Sequence, residues 1–376
     1  MDDDDAGMSQ AQPPRTHATA RTVMARLRDA LMVLTLVIFG LWAGSGFLIP
    51  LVLAVFVFIL IIALSERIRA LIPDAMPVPG WLTTLAALLV VLGGLFAVMY
   101  ILGNQATQFA RAIPAYEAQL ESSVTRLVAL IGDEAARIAR DSLAFFDMSW
   151  LARNALGGAR SFLSTFFLIC LYVAFMLAER GTMSRKVLLA AGSPELARDI
   201  EEIMHRIIES LQVYVGVKTF VSALTALIAY AIITLLGLEY AETWAVLTFL
   251  LNFIPSIGSI VAVVFPALVA LVQFDTITPF LVITFGLGSV QFLIGNFLDP
   301  AMMGRSLNLS TLVVILALML WTSVWGLIGA LLSTPLTVCV LVILNQVPAL
   351  RPIAVLMSKD GTVSIGRDDP AAPKAG

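Results

Sequence analysis

The sequence predicts an all-α polytopic membrane protein with about eight membrane segments. Hydrophobic residues make up 59% of the 376 residues and charged residues only 13%, about half the charge of an ordinary soluble domain. The mean hydropathy is +0.94. Several uncharged runs reach the roughly 20 residues that a helix needs to cross a bilayer. These observations indicate an integral protein embedded in a lipid bilayer.

Charge and motif content exclude other classes of protein. The net charge of −3 and the pI near 5.5 provide no basic surface for phosphates, so nucleic-acid binding is not expected. The two histidines, His17 and His205, lie in the N-terminal tail and on an amphipathic helix. No metal-ligand spacing, nucleotide-binding loop or nucleophile motif occurs. We therefore expect no enzyme activity, no metal and no cofactor.

Both ends of the chain are polar and are predicted to be disordered cytoplasmic tails, over 1–28 and 352–376. The first tail carries four consecutive aspartates and lacks the apolar core of a signal peptide. The positive-inside rule orients the predicted spans. Counting the hairpin as two spans, arginines precede the first span and follow the second and the fourth. This charge pattern places the N-terminus and the C-terminus in the cytoplasm.

The N-terminal membrane bundle is predicted over 29–178. It contains one helical hairpin and two single spans, over 31–64, 81–102 and 161–178. Gly44 and Pro50 interrupt the first run, which predicts a tight turn there. Between the two single spans, 104–160 has apolar residues at three- and four-residue intervals, which predicts an external amphipathic insertion.

A second amphipathic helix is predicted over 181–212, on the cytoplasmic side. Its start is marked by Ser193 as N-cap, Pro194 at the first helical position and Glu195 in the first turn. The membrane transport region follows over 213–346, beginning with a span over about 213–238.

Two apolar segments of this region are too long for one crossing. As straight helices, 244–272 would measure roughly 43 Å and 311–344 roughly 50 Å, against a core of about 30 Å. We interpret both as re-entrant hairpins, because Arg305 then lies in the cytoplasm; single crossings would place it outside. The corollary is an inverted repeat, with one span and one hairpin from each membrane face.

Clusters of helix breakers and polar residues interrupt both long segments. Non-helical chain at membrane depth is tolerated only where protein or a water-filled cavity surrounds it, so the clusters indicate a substrate path. The alternative is a proline-kinked helix with small residues at a tight packing contact. The predicted path comprises Asn252, Pro255, Ser256, Gly258, Ser259, Gln291, Asn296, Gly326, Gly329, Ser333, Thr334 and Pro335.

Two charged residues are candidates for coupling or gating. Lys218 is a clear case of a cation within a predicted span, where charged residues are usually functional. The alternative is that its long side chain reaches water at the interface. Asp299 precedes Pro300 and lies near the end of a span, where the alternative role is a structural cap with Arg305.

The sequence contains the segments LNFIPSIG at 251–258, DPAMMGRSLNL at 299–309 and WGLIGALLSTPL at 325–336. These three motifs resemble the autoinducer-2 exporter (AI-2E) family of bacterial transporters. The likeness covers roughly 25–350. It implies a bacterial plasma-membrane (inner-membrane) protein of eight segments that assembles as a homo-oligomeric ring, expected to be a pentamer. It also implies export of autoinducer-2 or a related small polar substrate, and thus a role in quorum sensing.

The sequence departs from the family pattern at two positions. Ile294 and Thr311 stand where many members carry a glutamate and a proline, and the missing carboxylate removes an obvious ion carrier. The leading hypothesis is gradient-driven or facilitated export of a small polar metabolite. Cation/proton antiport, which some relatives resemble, and a non-transporting membrane scaffold are the alternatives.

Overall fold

The backbone is helical apart from short turns and one isolated bridge between Leu309 and Ser358, throughout the residues that the structure describes. This computed structural model describes residues 16–73, 78–104, 148–303, 309–347, 349–359 and 361. We number its helices α1 Thr16–Ala43, α2 Ser45–Leu71, α3 Gly80–Asn104, α4 Met148–Glu179, α5 Met183–Ala191, α6 Pro194–Leu235, α7 Ala241–Leu251, α8 Ile257–Gln273, α9 Thr278–Leu293, α10 Asp299–Met303, α11 Thr311–Gln346 and α12 Arg351–Met357.

Six helical segments of the described chain are long and apolar enough to cross a membrane. They are Ser45–Leu71, Gly80–Asn104, Ser164–Thr182, Pro194–Leu235, Thr278–Met303 and Thr311–Gln346. Helices α7 and α8 are apolar but shorter, with 11 and 17 residues. The all-α polytopic prediction is confirmed.

The chain divides into two compact units, residues 1–48 and 49–376. In the first unit, α1 begins at Thr16, whereas the sequence analysis placed 16–28 in a disordered tail. Three alanines and three arginines lie there, and both residue types favour helix. Helix α2 begins at Ser45, as the predicted break at Gly44 requires, but Pro50 lies inside α2 and does not interrupt it. The predicted hairpin divides between the two units and stays a prediction.

In the second unit, α2, α3 and α4 share a buried core of Ala54, Ile61, Ala87, Ile169 and Val173. The Ser65 hydroxyl adds hydrogen bonds to Thr83 and Thr84, at 3.1 and 3.2 Å. Of the predicted external insertion, 105–147 lies outside the described residues. Residues 148–160 form the start of α4, so the span helix begins earlier than the apolar run suggested.

Helix α6 joins two segments that the sequence analysis separated at residue 212. The predicted N-cap is confirmed, because the Ser193 hydroxyl accepts a hydrogen bond from the Leu196 amide at 3.2 Å. From this cap α6 continues for 42 residues, a length of roughly 63 Å. That is about twice the 30 Å core, so the helix extends well beyond one side of it.

The segment 241–273 is a hairpin, as predicted. The Gln273 amide donates to the Gly237 carbonyl at 2.9 Å, and the Glu239 amide donates to the Gln273 side-chain oxygen at 2.8 Å. The chain therefore returns to the place where it entered. We call α7 and α8 together the first hairpin, and residues 252–256, which join them, its tip.

Helix α11 is also folded back on itself. Trp325 and Gly326 have non-helical dihedral angles, with φ +60° at Gly326. The Trp321 indole donates to the Thr337 hydroxyl at 3.2 Å, although a straight helix would separate these residues by roughly 24 Å. We call α11 the second hairpin and 325–326 its tip. Single crossings are excluded for both segments.

The two hairpins approach α6 from opposite ends. The first follows α6 through the short connection 236–240. The second has Leu309 and Leu344, from its two ends, in one cluster with Ile207 of the N-terminal half of α6. The first tip reaches the arms of the second hairpin, because Ile254 packs with Leu318 and Ala330. This is the opposed arrangement that the inverted-repeat interpretation requires.

The predicted C-terminal tail begins later than residue 352. Helix α12 packs against the end of α11, where Ala354 is buried with Val338, Leu341 and Val342. The Ser310 amide donates to the Met357 carbonyl at 3.0 Å. Residues 351–358 are therefore part of the folded unit, since Ala354 and Met357 supply an apolar surface that the polar composition of the tail concealed.

Candidate functional site

Helix α6 carries four polar side chains on one face. Tyr214, Lys218, Ser222 and Thr225 are spaced at four, four and three residues, so they follow one side of the helix over roughly 16 Å. We call them the polar stripe. Each one faces a polar group from another part of the transport region, and the stripe joins both hairpins to the end of the α9–α10 span.

The charged pair lies at one end of the stripe. Lys218 Nζ is 2.5 Å from Asp299 Oδ2, and the two side chains are only 12% and 18% exposed. Asp299 follows the π-helical turn Ile294–Leu298, whose wider hydrogen bonding changes the direction of the following side chains. Lys218 is therefore paired within the protein. Asp299 pairs with Lys218; Arg305, its predicted partner, lies outside the described residues.

One turn before Lys218, Tyr214 lies beside Thr334 of the second hairpin. Tyr214 is buried, and Asp299 lies near enough for its charge to act on the phenol. The second carboxylate oxygen of Asp299 is buried and has no hydrogen-bond partner among the described groups. This end of the stripe thus contains an ion pair, a phenol and an unpaired acceptor.

One turn beyond Lys218, Ser222 accepts a hydrogen bond from the Asn252 side-chain amide at 3.1 Å. Ser222 is fully buried and Asn252 nearly so. Asn252 ends α7 and begins the tip, where the Ile254 amide turns back to the Leu251 carbonyl at 2.8 Å. Ser256 has φ +59°, an uncommon backbone state for a residue with a side chain, of the kind found at functional sites.

Glycine allows the arms of both hairpins to approach closely. A Cβ atom on Gly258 would lie 1.7 Å from the Leu251 carbonyl oxygen, and one on Gly329 would lie 1.9 Å from the Trp321 carbonyl oxygen. These two glycines therefore serve packing, which was the alternative interpretation. Gly326 instead supplies the positive φ of the second tip.

Beyond Ser222, Thr225 lines a narrow crevice between α6, the first hairpin and α9. Thr248 of α7 and Gln291 of α9 line it as well, and the space between them is too small for a water molecule. Thr248 and Gln291 are buried, and the Thr248 hydroxyl has no hydrogen-bond partner in the described chain.

The structure brings together only some of the predicted path residues. Asn252, Gln291 and Thr334 face the stripe. Pro255 and Ser259 are half-buried near the first tip, and Ser333 and Pro335 are buried in the second hairpin. Asn296 does not join them: it is exposed, and its amide donates to the Phe292 carbonyl of its own helix at 2.9 Å.

Sequence reasoning missed Tyr214, Ser222, Thr225 and Thr248. Their signal was weak, because hydroxyl groups within apolar runs are common in membrane helices. Three of them recur with Lys218 at helical spacing in α6, and that periodicity could have identified the stripe. Among the described residues, no group of three histidine, cysteine or acidic side chains could hold a metal ion.

The chain is similar over most of its length to bacterial transport proteins. Residues 31–349 match the family described as AI-2E family transporter. The AI-2 transport protein TqsA of Escherichia coli K12 is 31% identical over 333 residues, which cover 87% of this chain and 93% of that relative. A putative transport protein of Haemophilus influenzae is 29% identical over 86% of this chain and 93% of its own. The putative transport protein YhhT of Escherichia coli K12 is 26% identical over 87% of this chain and 91% of that relative. With its membrane-spanning helices and opposed hairpins, the chain belongs to the AI-2E transporter family and is a multi-pass transporter of the bacterial inner membrane, not an enzyme.

Proposed function

We propose that this transporter exports a small polar metabolite along the polar stripe, by a gradient-driven or facilitated mechanism. Autoinducer-2, which the name of the TqsA relative specifies as its cargo, is the first candidate. The observation that carries the proposal is the row of buried polar side chains on α6, because buried polar groups are costly unless they are paired. Their partners come from both hairpins and from α10.

The two tips are the parts of the site best placed to move. The first tip holds Asn252 against Ser222, and the apolar contact of Ile254 with Leu318 and Ala330 closes the two hairpins on each other. Helix α8 begins at Ile257, directly after the tip, so the positive end of its dipole can stabilise an oxygen atom of the substrate. Substrate hydroxyl groups would replace the Asn252–Ser222 hydrogen bond as the tips separate.

The test is the variant Asn252→Leu. It keeps the size of the side chain and removes its amide, so we expect export to be lost while the amount of protein in the membrane is unchanged. The matched control is Asn296→Leu, whose amide bonds only to its own helix, and which should retain export. Autoinducer-2 in the medium of cells that lack other exporters is the measurement. Full export by Asn252→Leu would refute the assignment of the path.

Cation/proton antiport is the second candidate, and the Lys218–Asp299 pair favours it. A titratable carboxylate held against an ammonium group can exchange its partner for a proton or a cation. Everted vesicles should then show sodium- or lithium-driven proton movement that Asp299→Asn abolishes. Absence of such proton movement at every pH tested would reject this candidate.

We also propose that both termini face the cytoplasm and that the chain assembles as a homo-oligomeric ring, with five subunits expected. Arg67, Arg180 and Arg351 support the orientation through the positive-inside rule. Large side chains on α9, including Phe285 and Phe292, are exposed and suit contact with lipid or another subunit. Reporter fusions at the two ends and native mass spectrometry test these proposals.

A further inference from the structure

We infer that Thr225, Thr248 and Gln291 form a binding site for a small neutral molecule that carries hydroxyl groups, closed in the conformation described here. The inference rests on the proposed function and specifies the substrate class of its path. Three independent helices supply the residues: α6, the first arm of the first hairpin and α9. A site at such a junction can open when the hairpin moves away from α9.

The hydrogen-bonding state of Thr248 favours a ligand that binds at the crevice. Thr248 is only 2% exposed, yet its hydroxyl has no partner in the described chain. A threonine in a helix can bond to its own backbone, as Thr225 does to the Val221 carbonyl at 2.7 Å, but Thr248 does not. None of the described hydrogen bonds involves the Gln291 amide. A buried hydroxyl that remains unpaired beside a crevice is unusual, and a ligand hydroxyl would satisfy it.

The lining of the crevice selects a neutral ligand. Its other four members are the aliphatic residues Ala229, Ala262, Leu287 and Val290. A charged molecule would lose its hydration there without gaining a counter-charge. The nearest charge on the same face of α6 is Lys218, two turns away, and Asp299 already neutralises it. Hydroxyl and amide groups without charge match a small polyol.

The distance of the crevice from the end of α6 suits a central transport site. Thr225 lies ten residues before Leu235, where α6 ends, and this separation corresponds to roughly 15 Å. That is half the thickness of a 30 Å hydrocarbon core, the depth at which secondary transporters hold their substrates. The crevice adjoins the Asn252–Ser222 contact, since Thr225 follows Ser222 by one turn.

The experiment uses the full chain in liposomes and measures exchange of radiolabelled ribitol, lactate and sodium. We expect wild-type protein to carry ribitol in preference to the anion and the cation. Thr248→Val, which removes only the hydroxyl, should lower ribitol exchange by about two- to tenfold, the effect of one neutral hydrogen bond. Thr248→Ser, which keeps the hydroxyl, should retain it. The matched control is Thr243→Val on the same helix, whose hydroxyl is also unpartnered but lies outside the crevice.

Each outcome decides one claim. Equal exchange by Thr248→Val and Thr243→Val would overturn the binding site. In that case the proposed function would still stand if Asn252→Leu abolished exchange. Preference for lactate or sodium, or no ribitol exchange above empty liposomes, would overturn the neutral ligand class. Exchange that neither Thr248→Val nor Asn252→Leu affects would overturn the proposed path itself.

Discussion

Glycine at two positions determines whether the hairpins can close. A Cβ atom at Gly258 or Gly329 would lie 1.7 or 1.9 Å from a carbonyl oxygen of the opposing arm, where ordinary contact begins at 3.4 Å. The obstructing atoms belong to the backbone, so no side chain can rotate away, and the arms must separate by roughly 1.5 Å. Overpacking of this kind typically costs about 1–3 kcal/mol, and we expect the upper end or more for Gly258→Ala and Gly329→Ala.

The assay is unfolding of the purified protein by sodium dodecyl sulfate in mixed micelles, followed by circular dichroism. The control is Gly216→Ala in α6, where an added Cβ meets nothing within 4 Å. Alanine favours helix over glycine by roughly 0.5–1 kcal/mol, so this variant should be slightly stabilised while the two hairpin variants are destabilised. If Gly258→Ala and Gly329→Ala unfolded at the same detergent fraction as Gly216→Ala, the close approach of the arms would be refuted.

Two further predictions concern other contacts. Asp299→Asn leaves the Lys218 ammonium without a counter-charge and should lower the free energy of unfolding by about 3–5 kcal/mol. The double variant Lys218→Met, Asp299→Leu should recover most of this loss. Additive losses in the double-mutant cycle would contradict a coupled pair. Ala354→Asp buries a carboxylate against the end of α11 and should release α12, which would be measured as faster proteolysis between residues 349 and 359. The control variant Ile353→Asp, at an exposed position, should not change the rate of proteolysis. Equal proteolysis of the two variants would show that α12 is not docked.

Local properties of the sequence predicted much of the architecture. Hydropathy located the membrane segments, because a bilayer demands about 20 apolar residues wherever a helix crosses. Ser193, Pro194 and Glu195 located the start of α6, since the capping hydrogen bond forms within four residues. The breaker residues around 255 and 326 located both tips, because proline and glycine act on the backbone at their own positions.

The site was only partly predictable, as the two asparagines illustrate. Asn252 and Asn296 both interrupt apolar runs and looked equivalent in sequence. The fold buries Asn252 against Ser222 and leaves Asn296 bonded to its own helix. One helix boundary was wrong for a related reason. No proline separates the amphipathic segment before residue 212 from the span after it, so the two form one helix although only the first is amphipathic.

The sequence by itself determined that this chain is helical, crosses a membrane and breaks at two apolar segments, because those properties depend on neighbouring residues and on the solvent. Tertiary structure alone decided which polar groups meet. Lys218 and Asp299 are 81 positions apart and Ser222 and Asn252 are 30 apart, and their pairing follows from hairpins that approach α6 from opposite ends. The orientation of one helix against another depends on packing over the whole transport region, which no local pattern encodes.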